Sequence, residues 1–390
     1  MAEARVMMTV ATSCKEGFVT TQPSPGTSRQ PQSATPVGGR WTARVLVTGA
    51  STGIGRATVD TLVARGALVW AGVRREQDAD ALEAAHPGRV TALRFDVTDE
   101  GAVASAATQA RAAGPLHGLV NNAGVALPAP LEFMPLAEFR RQLEINLVGQ
   151  LAVTQAVLPA LRAAADARAQ AQAGSTGGSG GPDLPPAPRI VMVGSIGDRI
   201  AGPMIGAYHA AKFGLAGLTG SLRAELRPAG IEVVLVEPGA IATPIWSRGT
   251  TAAAELLQQL PAEAIGRYSR QIQAARDMAA RAARDGLRPE AVAEVIAGAL
   301  EARRPRPRYL VGRDARIAAL LTHLPDRLRD RLLARASGWA GAAARPGASK
   351  VRVPRTLPAS RTRTAPPGAV RARAAIVARP PGPRPPGAAS

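Results

Sequence analysis

Tyr208 and Lys212 are the residues whose types and spacing best suit proton transfer in this chain. They lie four residues apart in a helical stretch, so their side chains can share one helix face. A free tyrosine has a pKa of about 10 and is a poor base at neutral pH. A nearby ammonium group favours the phenolate, and lowering that pKa by roughly three units needs about 4 kcal/mol of differential stabilisation. The spacing alone also fits a half-buried core tyrosine beside a surface lysine.

A second chemical feature is the glycine-rich turn TGASTGIG at 48–55. Its three glycines, Gly49, Gly53 and Gly55, follow an apolar run and precede a helical stretch. Glycines in this setting let the backbone approach a pyrophosphate, whose charge is stabilised at the N-terminus of the helix. We therefore predict a phosphate-binding turn here, although such glycines can also serve only a tight bend.

The elements that must position these residues alternate regularly along the chain. Short apolar runs predict strands, and the segments between them predict helices. This alternation favours an α/β fold, a Rossmann-type doubly wound parallel sheet with helices on both faces. The predicted strands are 43–48, 67–73, 89–97, 116–122, 189–195 and 231–237, and the predicted helices are 53–65, 77–85, 100–113, 135–165 and 207–226. Further on, we predict helices at 251–283, 288–304 and 315–336 and a short strand at 309–311.

Composition divides the chain into one predicted domain and two predicted extensions. Residues 41–340 are predicted to form a single catalytic domain, interrupted by a flexible low-complexity insertion at 166–188. Residues 1–40 and 341–390 are rich in proline and poor in large apolar side chains, which predicts disordered extensions. The last segment carries ten basic residues and no acidic ones, more than half of the net charge of +19. We therefore expect weak contact with acidic surfaces and no specific nucleic-acid binding.

The turn TGASTGIG resembles the cofactor turn of the short-chain dehydrogenase/reductase family. The resemblance is good over 41–245, loose over 246–340 and absent from both ends. It implies a Rossmann fold, an NAD(H) or NADP(H) cofactor and a homo-oligomer, here expected to be a homodimer or a homotetramer. The segment RPRYLVGRDARIAALL is similar to that of retinol- and steroid-dehydrogenase-like members.

The resemblance implies roles for residues that spacing alone does not assign. Four would be catalytic: Ser195 would hold the substrate oxygen, Tyr208 would transfer the proton, Lys212 would support Tyr208, and Asn146 would hold a water that relays protons from the lysine. Asn146 alternatively bonds its own backbone or kinks the helix. Cofactor contacts would come from Gly49, Ser51, Thr52, Gly53, Ile54, Gly55, Arg74, Asp96, Val97, Asn122, Ala123, Gly124, Tyr208, Lys212, Pro238, Gly239, Ile241 and Thr243.

The end of the second strand decides which cofactor is expected. A carboxylate there would accept hydrogen bonds from the adenosine ribose and repel a 2′-phosphate. This chain has Val73 at that position, followed by Arg74 and Arg75, and a guanidinium pairs well with phosphate. We therefore predict NADP(H), with NAD(H) as the alternative if these arginines are ordinary surface charges.

Other classes of site find little support in the composition. The single cysteine, Cys14, excludes an intrachain disulfide, and the four histidines lack paired ligand spacing, so no metal site is predicted. We find no apolar run of the roughly 18–20 residues that span a bilayer. We accordingly expect no transmembrane segment and a cytoplasmic location.

The predicted activity is oxidoreductase chemistry: hydride transfer between NADP(H) and a small-molecule alcohol or carbonyl substrate. The segments 127–133 and 245 onward would cover the substrate. Trp246, Leu256, Leu257 and Leu260 make an apolar substrate plausible. The alternative is a non-catalytic nucleotide-sensing regulator or scaffold with a basic tail. An epimerase or dehydratase would need further acid/base groups, which we do not find.

Overall fold

A parallel sheet of seven strands forms the centre of the computed structural model, which describes residues 43–174 and 186–336. The strand order is β3-β2-β1-β4-β5-β6-β7, and every neighbouring pair is parallel. The strands are β1 (Arg44–Thr48), β2 (Leu68–Val73), β3 (Val90–Arg94), β4 (Gly118–Asn121), β5 (Arg189–Val193), β6 (Glu232–Pro238) and β7 (Arg308–Val311). This confirms the predicted Rossmann-type sheet and the short strand after residue 308.

The strand order explains where a ligand can bind. The chain runs outward from β1 to β3 and then returns to place β4 on the other side of β1, so the crossovers diverge at that point. A crevice opens at the carboxyl ends of the strands where the order reverses. The central strands are almost fully buried on both faces, as expected when helices cover both sides of a parallel sheet.

Eleven α-helices accompany these strands within the described residues. They are α1 (Gly53–Ala64), α2 (Glu76–Ala85), α3 (Glu100–Ala112), α4 (Leu136–Leu143), α5 (Gly149–Gly174), α6 (Gly206–Leu226), α7 (Ile245–Gln258), α8 (Ala262–Asp285), α9 (Pro289–Glu301), α10 (Arg313–Leu321) and α11 (Asp326–Ala336). A π-helical turn, Glu144–Val148, joins α4 to α5.

Proline corrects two of the predicted helices. The helix predicted over 251–283 is two helices, α7 and α8, because Pro261 stands between them. Similarly, Pro325 separates α10 from α11 within the helix predicted over 315–336. Proline removes an amide donor and disfavours helical geometry at the preceding residue, so a helix ends there.

The first residues of the predicted insertion at 166–188 are helical. Helix α5 continues to Gly174, because the alanines, glutamines and arginine of ADARAQAQA are strong helix formers. The glycine- and serine-rich remainder, 175–185, lies outside the described residues, as do both predicted terminal extensions.

One helical stretch within the described residues bears on the expectation that no segment spans a membrane. Leu136–Ala173 is long and apolar enough by length and composition, and 44% of its most apolar window is buried within the protein. Val153, Val157 and Leu161 on this stretch belong to the main core cluster, together with Leu119 and Ile190 of the sheet. Its apolar face is thus already packed against the sheet.

Candidate active site

A cleft of about 390 Å³ lies at the carboxyl ends of the strands. Its wall is built from the glycine-rich turn, the segments that follow β2 to β6, α6 and the first turns of α7. We call α7 the roof helix. The wall contains every predicted site residue except two, Gly55 and Asn146, which lie behind it.

The glycine-rich turn has a geometry that side chains would prevent. Gly49 and Gly53 adopt φ of +62° and +58°, values that favour glycine. A Cβ on Gly49 would lie 2.8 Å from Cα of Ala123, and one on Gly55 would overlap the Gly49 carbonyl oxygen. The Thr52 side chain does not cap α1, which leaves the amides at that helix end available to an anion. The turn therefore fits a pyrophosphate.

Asn122 and Thr48 hold this turn against the end of β4. The Asn122 amide donates to the carbonyl oxygens of Thr48 and Gly49 at 2.9 and 3.1 Å. In return the Thr48 hydroxyl accepts from the backbone amides of Asn122 and Ala123. Asn122 thus acts mainly through the turn that it supports.

Arg74 and Arg75, side by side after β2, have different surroundings. Arg75 makes two hydrogen bonds of 2.8 Å to Asp78 and does not line the cleft. Arg74 does line it and is 62% exposed, with its guanidinium 3.6 Å from Asp96. Arg74 is the arginine of the pair that is placed to receive a phosphate.

Asp96 forms the neighbouring part of the cleft wall, while Asp99 caps α3 through the Ala102 amide. The Asp96 carboxylate accepts from the Thr98 amide at 3.0 Å and from its hydroxyl at 2.9 Å. Burial raises the pKa of Asp96, but these hydrogen bonds and the Arg74 charge outweigh it, so the net pKa lies below its usual value. Asp96 is therefore an ionised acceptor at neutral pH.

Ser195, Tyr208 and Lys212 meet at the opposite end of the cleft. Ser195 directly follows the β5 segment, and Tyr208 and Lys212 share one face of α6, with the Lys212 ammonium 5.7 Å from the Tyr208 ring centre. Lys212 is nearly fully buried and donates to the Val193 carbonyl oxygen at 2.7 Å. Tyr208 and Lys212 follow Ser195 by 13 and 17 positions in the sequence, and the fold brings the three side chains together.

Burial is the largest influence on the pKa values of Tyr208 and Lys212. Burial raises the pKa of Tyr208, a hydrogen bond with Ser195 lowers it, and the Asp198 charge raises it, with a net rise. Burial lowers the pKa of Lys212 to about 8, against the opposing influence of Asp198. In the protein alone, desolvation of the phenolate outweighs the favourable contacts. The expected fall in the Tyr208 pKa also relies on the positive charge of a bound nicotinamide, so it stays a prediction.

Asn146 lies in the π-helical turn and is fully buried. Its amide oxygen accepts from the Val125 amide and its nitrogen donates to the Val125 carbonyl oxygen, both at 2.8 Å. It therefore bonds the segment after β4 and not its own helix backbone, and its side chain does not line the cleft. It fixes the segment after β4 that forms one wall of the cleft.

A cluster of four charged residues lies behind the serine segment and was missed by sequence reasoning. Asp198 and Glu237 are completely buried, and two arginines, Arg199 and Arg308, bridge them. Arg308 donates to both carboxylates, with distances from 2.8 to 3.1 Å. We call these residues the buried charge cluster. The available signal was a glutamate at the end of the apolar run VVLV and the charged pair Asp-Arg directly after GSIG.

The two carboxyl groups of this cluster have opposite acidities. Burial and the adjacent Glu237 raise the pKa of Asp198 to about 8. Burial also acts to raise the pKa of Glu237, but hydrogen bonds from Arg199 and Arg308 lower it to about 2. Within the described residues no donor reaches Asp198 Oδ2, so nothing there stabilises a negative charge on that oxygen. Two close buried carboxyl groups cannot both ionise at low cost.

His209 has a structural function next to Tyr208. Its Nε2 accepts from the Gly202 amide at 3.0 Å, so its Nδ1 carries the proton and donates to the Gly197 carbonyl oxygen at 2.9 Å. Burial lowers the pKa of His209, which keeps the ring neutral. The ring thereby ties the serine segment to α6.

The cover of the cleft differs in part from the prediction. Trp246 lines the cleft and donates from Nε1 to the Ile241 carbonyl oxygen at 2.7 Å. The three leucines predicted to face the substrate do not line it, because Leu256 and Leu257 pack into separate apolar clusters beside the cleft and Leu260 precedes the proline that ends the roof helix. Within 43–174 and 186–336, no group of three His, Cys, Asp or Glu side chains could hold a metal ion.

Comparisons with known proteins agree with this geometry. A family model described as enoyl-(acyl carrier protein) reductase matches residues 49–288. The chain is 31% identical to NADPH-dependent 3-dehydrocapnine reductase of Ornithobacterium rhinotracheale, over 74% of this chain and 94% of that protein. It is 30% identical to human retinol dehydrogenase 16, over 74% of this chain and 87% of that protein.

Two solved structures are similar in fold. A short-chain dehydrogenase from Streptomyces avermitilis matches with a TM-score of 0.55 and 26% identity, covering 77% of this chain and 96% of that one. A short-chain dehydrogenase from Burkholderia cenocepacia, solved in complex with NADP, matches with a TM-score of 0.53 and 27% identity, covering 75% and 98%.

Proposed function

The chain belongs to the short-chain dehydrogenase/reductase family of oxidoreductases, and we propose that it transfers a hydride between NADP(H) and an apolar alcohol/carbonyl pair. One observation carries the proposal. The Ser195, Tyr208 and Lys212 side chains stand at one end of a single cleft, whose other end is a glycine-rich turn flanked by Arg74. A phosphate-binding end and a proton-transfer end in one cleft are what nicotinamide-dependent chemistry requires.

The residues at the first end fit NADP(H). The turn from Gly49 to Ile54 would receive the pyrophosphate, and Asp96 with Val97 would contact the adenine. Arg74 would pair with the 2′-phosphate, because Val73 stands where a carboxylate would repel that phosphate. Support comes from the Ornithobacterium relative, named as NADPH-dependent, and from the Burkholderia structure, which holds NADP.

The nicotinamide half would lie along the remaining wall. That wall contains Asn122, Ala123 and Gly124 after β4, and Pro238, Gly239, Ile241 and Thr243 after β6. The bound cofactor supplies the hydride and, when oxidised, a positive ring. The protein holds the substrate carbon beside that ring and moves the proton.

Proton transfer is assigned to Tyr208. In alcohol oxidation its phenolate would take the hydroxyl proton, and in carbonyl reduction its hydroxyl would give one, while the Ser195 hydroxyl holds the substrate oxygen. Lys212 lies on the same helix face and favours the phenolate as an ammonium. Since burial alone raises the Tyr208 pKa, the base needs the positive charge of the oxidised cofactor in addition to Lys212.

Asn146 has a positioning function in this proposal. Its two bonds to Val125 fix the part of the cleft wall that follows β4. The proton relay through a water that Asn146 holds stays a prediction.

The substrate is proposed to be apolar because of the wall around the proton-transfer end. Val125, Leu127, Ile145 and Trp246 all line the cleft there. The related human protein named retinol dehydrogenase 16 supports the same substrate class. The regulator or scaffold alternative gains no support, since the serine, tyrosine and lysine stand in one cleft.

We propose a homodimer or a homotetramer rather than a monomer. Val148 of the π-helical turn and Phe213 of α6 are 45% and 44% exposed on two elements that pack together. Full burial of an exposed side chain of this kind contributes roughly 1.5–3 kcal/mol, so covering the exposed part of each on association would contribute about half of that. The cytoplasmic location and the absence of specific nucleic-acid binding stay predictions.

Titration with NADPH and NADH, followed by nicotinamide fluorescence, tests the cofactor assignment. We expect NADPH to bind at least tenfold more tightly. A panel of apolar alcohols and ketones, with Tyr208→Phe as the control, then tests the reaction. Turnover that survives in Tyr208→Phe would contradict the proposed chemistry.

A further inference from the structure

Arg248 stands on the roof helix over the glycine-rich turn. Its Nη1 donates to the Thr52 hydroxyl at 3.3 Å, and its side chain lines the cleft. The residue is exposed, and it forms no ion pair within the described part of the chain. A guanidinium matches the geometry of a phosphate, so an arginine in this position can receive one.

The charge of Arg248 acts at the same corner of the cleft as that of Arg74. The pKa of Asp78 is lowered mainly by its hydrogen bond with Arg75, and the charges of Arg248 and Arg74 lower it further. Asp78 already accepts two hydrogen bonds from Arg75. The Arg74 guanidinium stands 3.6 Å from Asp96, but its side chain is 62% exposed, so it can still reach a second anion, as can that of Arg248. They reach this corner from separate elements, Arg74 from the end of β2 and Arg248 from α7.

The roof helix and the residues just before it lie close to both sides of the cleft. A Cβ on Gly53 would lie 3.1 Å from Thr243 Cγ2, just before α7. A Cβ on Gly249 would lie 2.5 Å from the Ala126 carbonyl oxygen on the opposite wall. A ligand contact at Arg248 therefore acts on a helix that also places Trp246 in the cleft.

We propose that Arg248 is a second ligand, beside Arg74, for the 2′-phosphate of NADP(H), and that this contact fastens the roof helix when the cofactor binds. The inference rests on the proposed function, because it requires an NADP(H) site in this cleft. It adds to that function a residue from the roof helix, and it makes cofactor recognition a step in closing the cleft.

The test compares Arg248→Gln with the wild type in binding, without turnover. We expect the dissociation constant for NADPH to rise about tenfold, as for the loss of one charge-assisted hydrogen bond, while that for NADH stays within twofold. Adenosine 2′,5′-bisphosphate should lose affinity similarly and 5′-AMP should not, since only the former carries the 2′-phosphate. Arg248→Lys should recover part of the affinity.

Amide hydrogen exchange reports the fastening of the roof helix. NADPH should slow exchange in 245–258 of the wild type at saturation, and the effect should be clearly smaller in Arg248→Gln at equal occupancy. Arg284→Gln is the matched control, because Arg284 is an exposed arginine at the far end of α8 that pairs with Asp285. It should behave as the wild type does.

The outcomes separate the inference from the proposed function. Equal losses for NADPH and NADH would place Arg248 on the pyrophosphate and overturn the inference, as would no loss for either. In both cases tight NADPH binding by the wild type, weakened in Arg74→Gln, would leave the proposed function intact. A wild type that prefers NADH would overturn both together.

Discussion

The two ends of the cleft use charged residues in opposite ways. At the adenosine end, Arg74 and Arg248 are exposed to water, and their charges shift the acidity of neighbouring carboxylates without large pKa changes. At the proton-transfer end, Lys212 and Asp198 are buried, and both have a pKa of about 8, far from their usual values.

The difference follows from solvent. Water screens exposed charges, so the arginines at the adenosine end interact only weakly with their protein neighbours and can pair with an arriving phosphate. Burial removes that screening, so at the other end the protein environment sets the protonation states. Recognition of a charged ligand and control of a proton therefore occupy different dielectric surroundings in one cleft.

The largest expected effect is the loss of proton transfer in Tyr208→Phe. General acid/base catalysis typically contributes about 10²–10⁴-fold, so we expect turnover to fall by about 10³-fold, with NADPH affinity within threefold of the wild type. Single-turnover absorbance at saturating NADPH measures this. The control is Tyr309→Phe in β7, whose hydroxyl accepts from the Arg306 amide far from the cleft.

Removal of a cation from the buried charge cluster should destabilise the fold more than removal of an exposed one. Arg308→Gln leaves two buried carboxyl groups with one arginine, and we expect the free energy of unfolding to fall by about 3 kcal/mol. Arg94→Gln removes an exposed partner of Glu76 and should cost at most about 0.5 kcal/mol. Urea unfolding of both variants measures the contrast, and equal losses would show that burial does not matter here.

Asp198 should make stability depend on pH in the unusual direction for a carboxyl group. Its pKa is raised from 3.8 to about 8 on folding, so between those values the folded state holds a proton that the unfolded state has released. Stability therefore falls as the pH rises towards about 8. Asp198→Asn removes this loss, and its stability relative to the wild type should improve by about 2 kcal/mol from pH 6 to pH 8.

Glu237 should behave in the opposite direction within the same cluster. Its pKa is lowered from 4.5 to about 2, so its stabilising contribution is present above about 4.5 and is lost as the pH falls towards 2. Urea unfolding from pH 3 to pH 9 separates the two groups. A profile for Asp198→Asn parallel to that of the wild type between pH 5 and 8 would contradict the assignment of the proton to Asp198.

The smallest expected effect lies at the adenosine end. Arg74→Gln should raise the dissociation constant for NADPH by about tenfold, equivalent to about 1.4 kcal/mol, and leave that for NADH nearly unchanged. The loss should shrink at high salt, because exposed charges are screened. Fluorescence titration at low and high ionic strength checks both points, and salt-independent loss would argue against an exposed phosphate contact.

Local patterns in the sequence were sufficient for most of the fold. The apolar runs that contain β1, β5 and β6 predicted those strands to within two residues, and the four-residue spacing of Tyr208 and Lys212 predicted their common helix face. The same approach failed at Pro261 and Pro325, where an interrupted helical pattern was interpreted as one helix. It also ended α5 too early, because low complexity was interpreted as flexibility despite helix-forming residues.

Local sequence patterns were enough to predict the parallel sheet, the glycine-rich turn and the residues expected to do the chemistry. Each depends on residues near one another in the chain, where periodicity and turn geometry act directly. Which charged groups are buried away from water depends on the assembled fold. Asp198, Glu237 and Arg308 come from three separate segments, and Arg248 meets Thr52 across almost 200 residues. Solvation depends on what surrounds a group in space, so the acidity of Lys212 and the partners of Asn146 could be known only once the sheet and its helices had assembled.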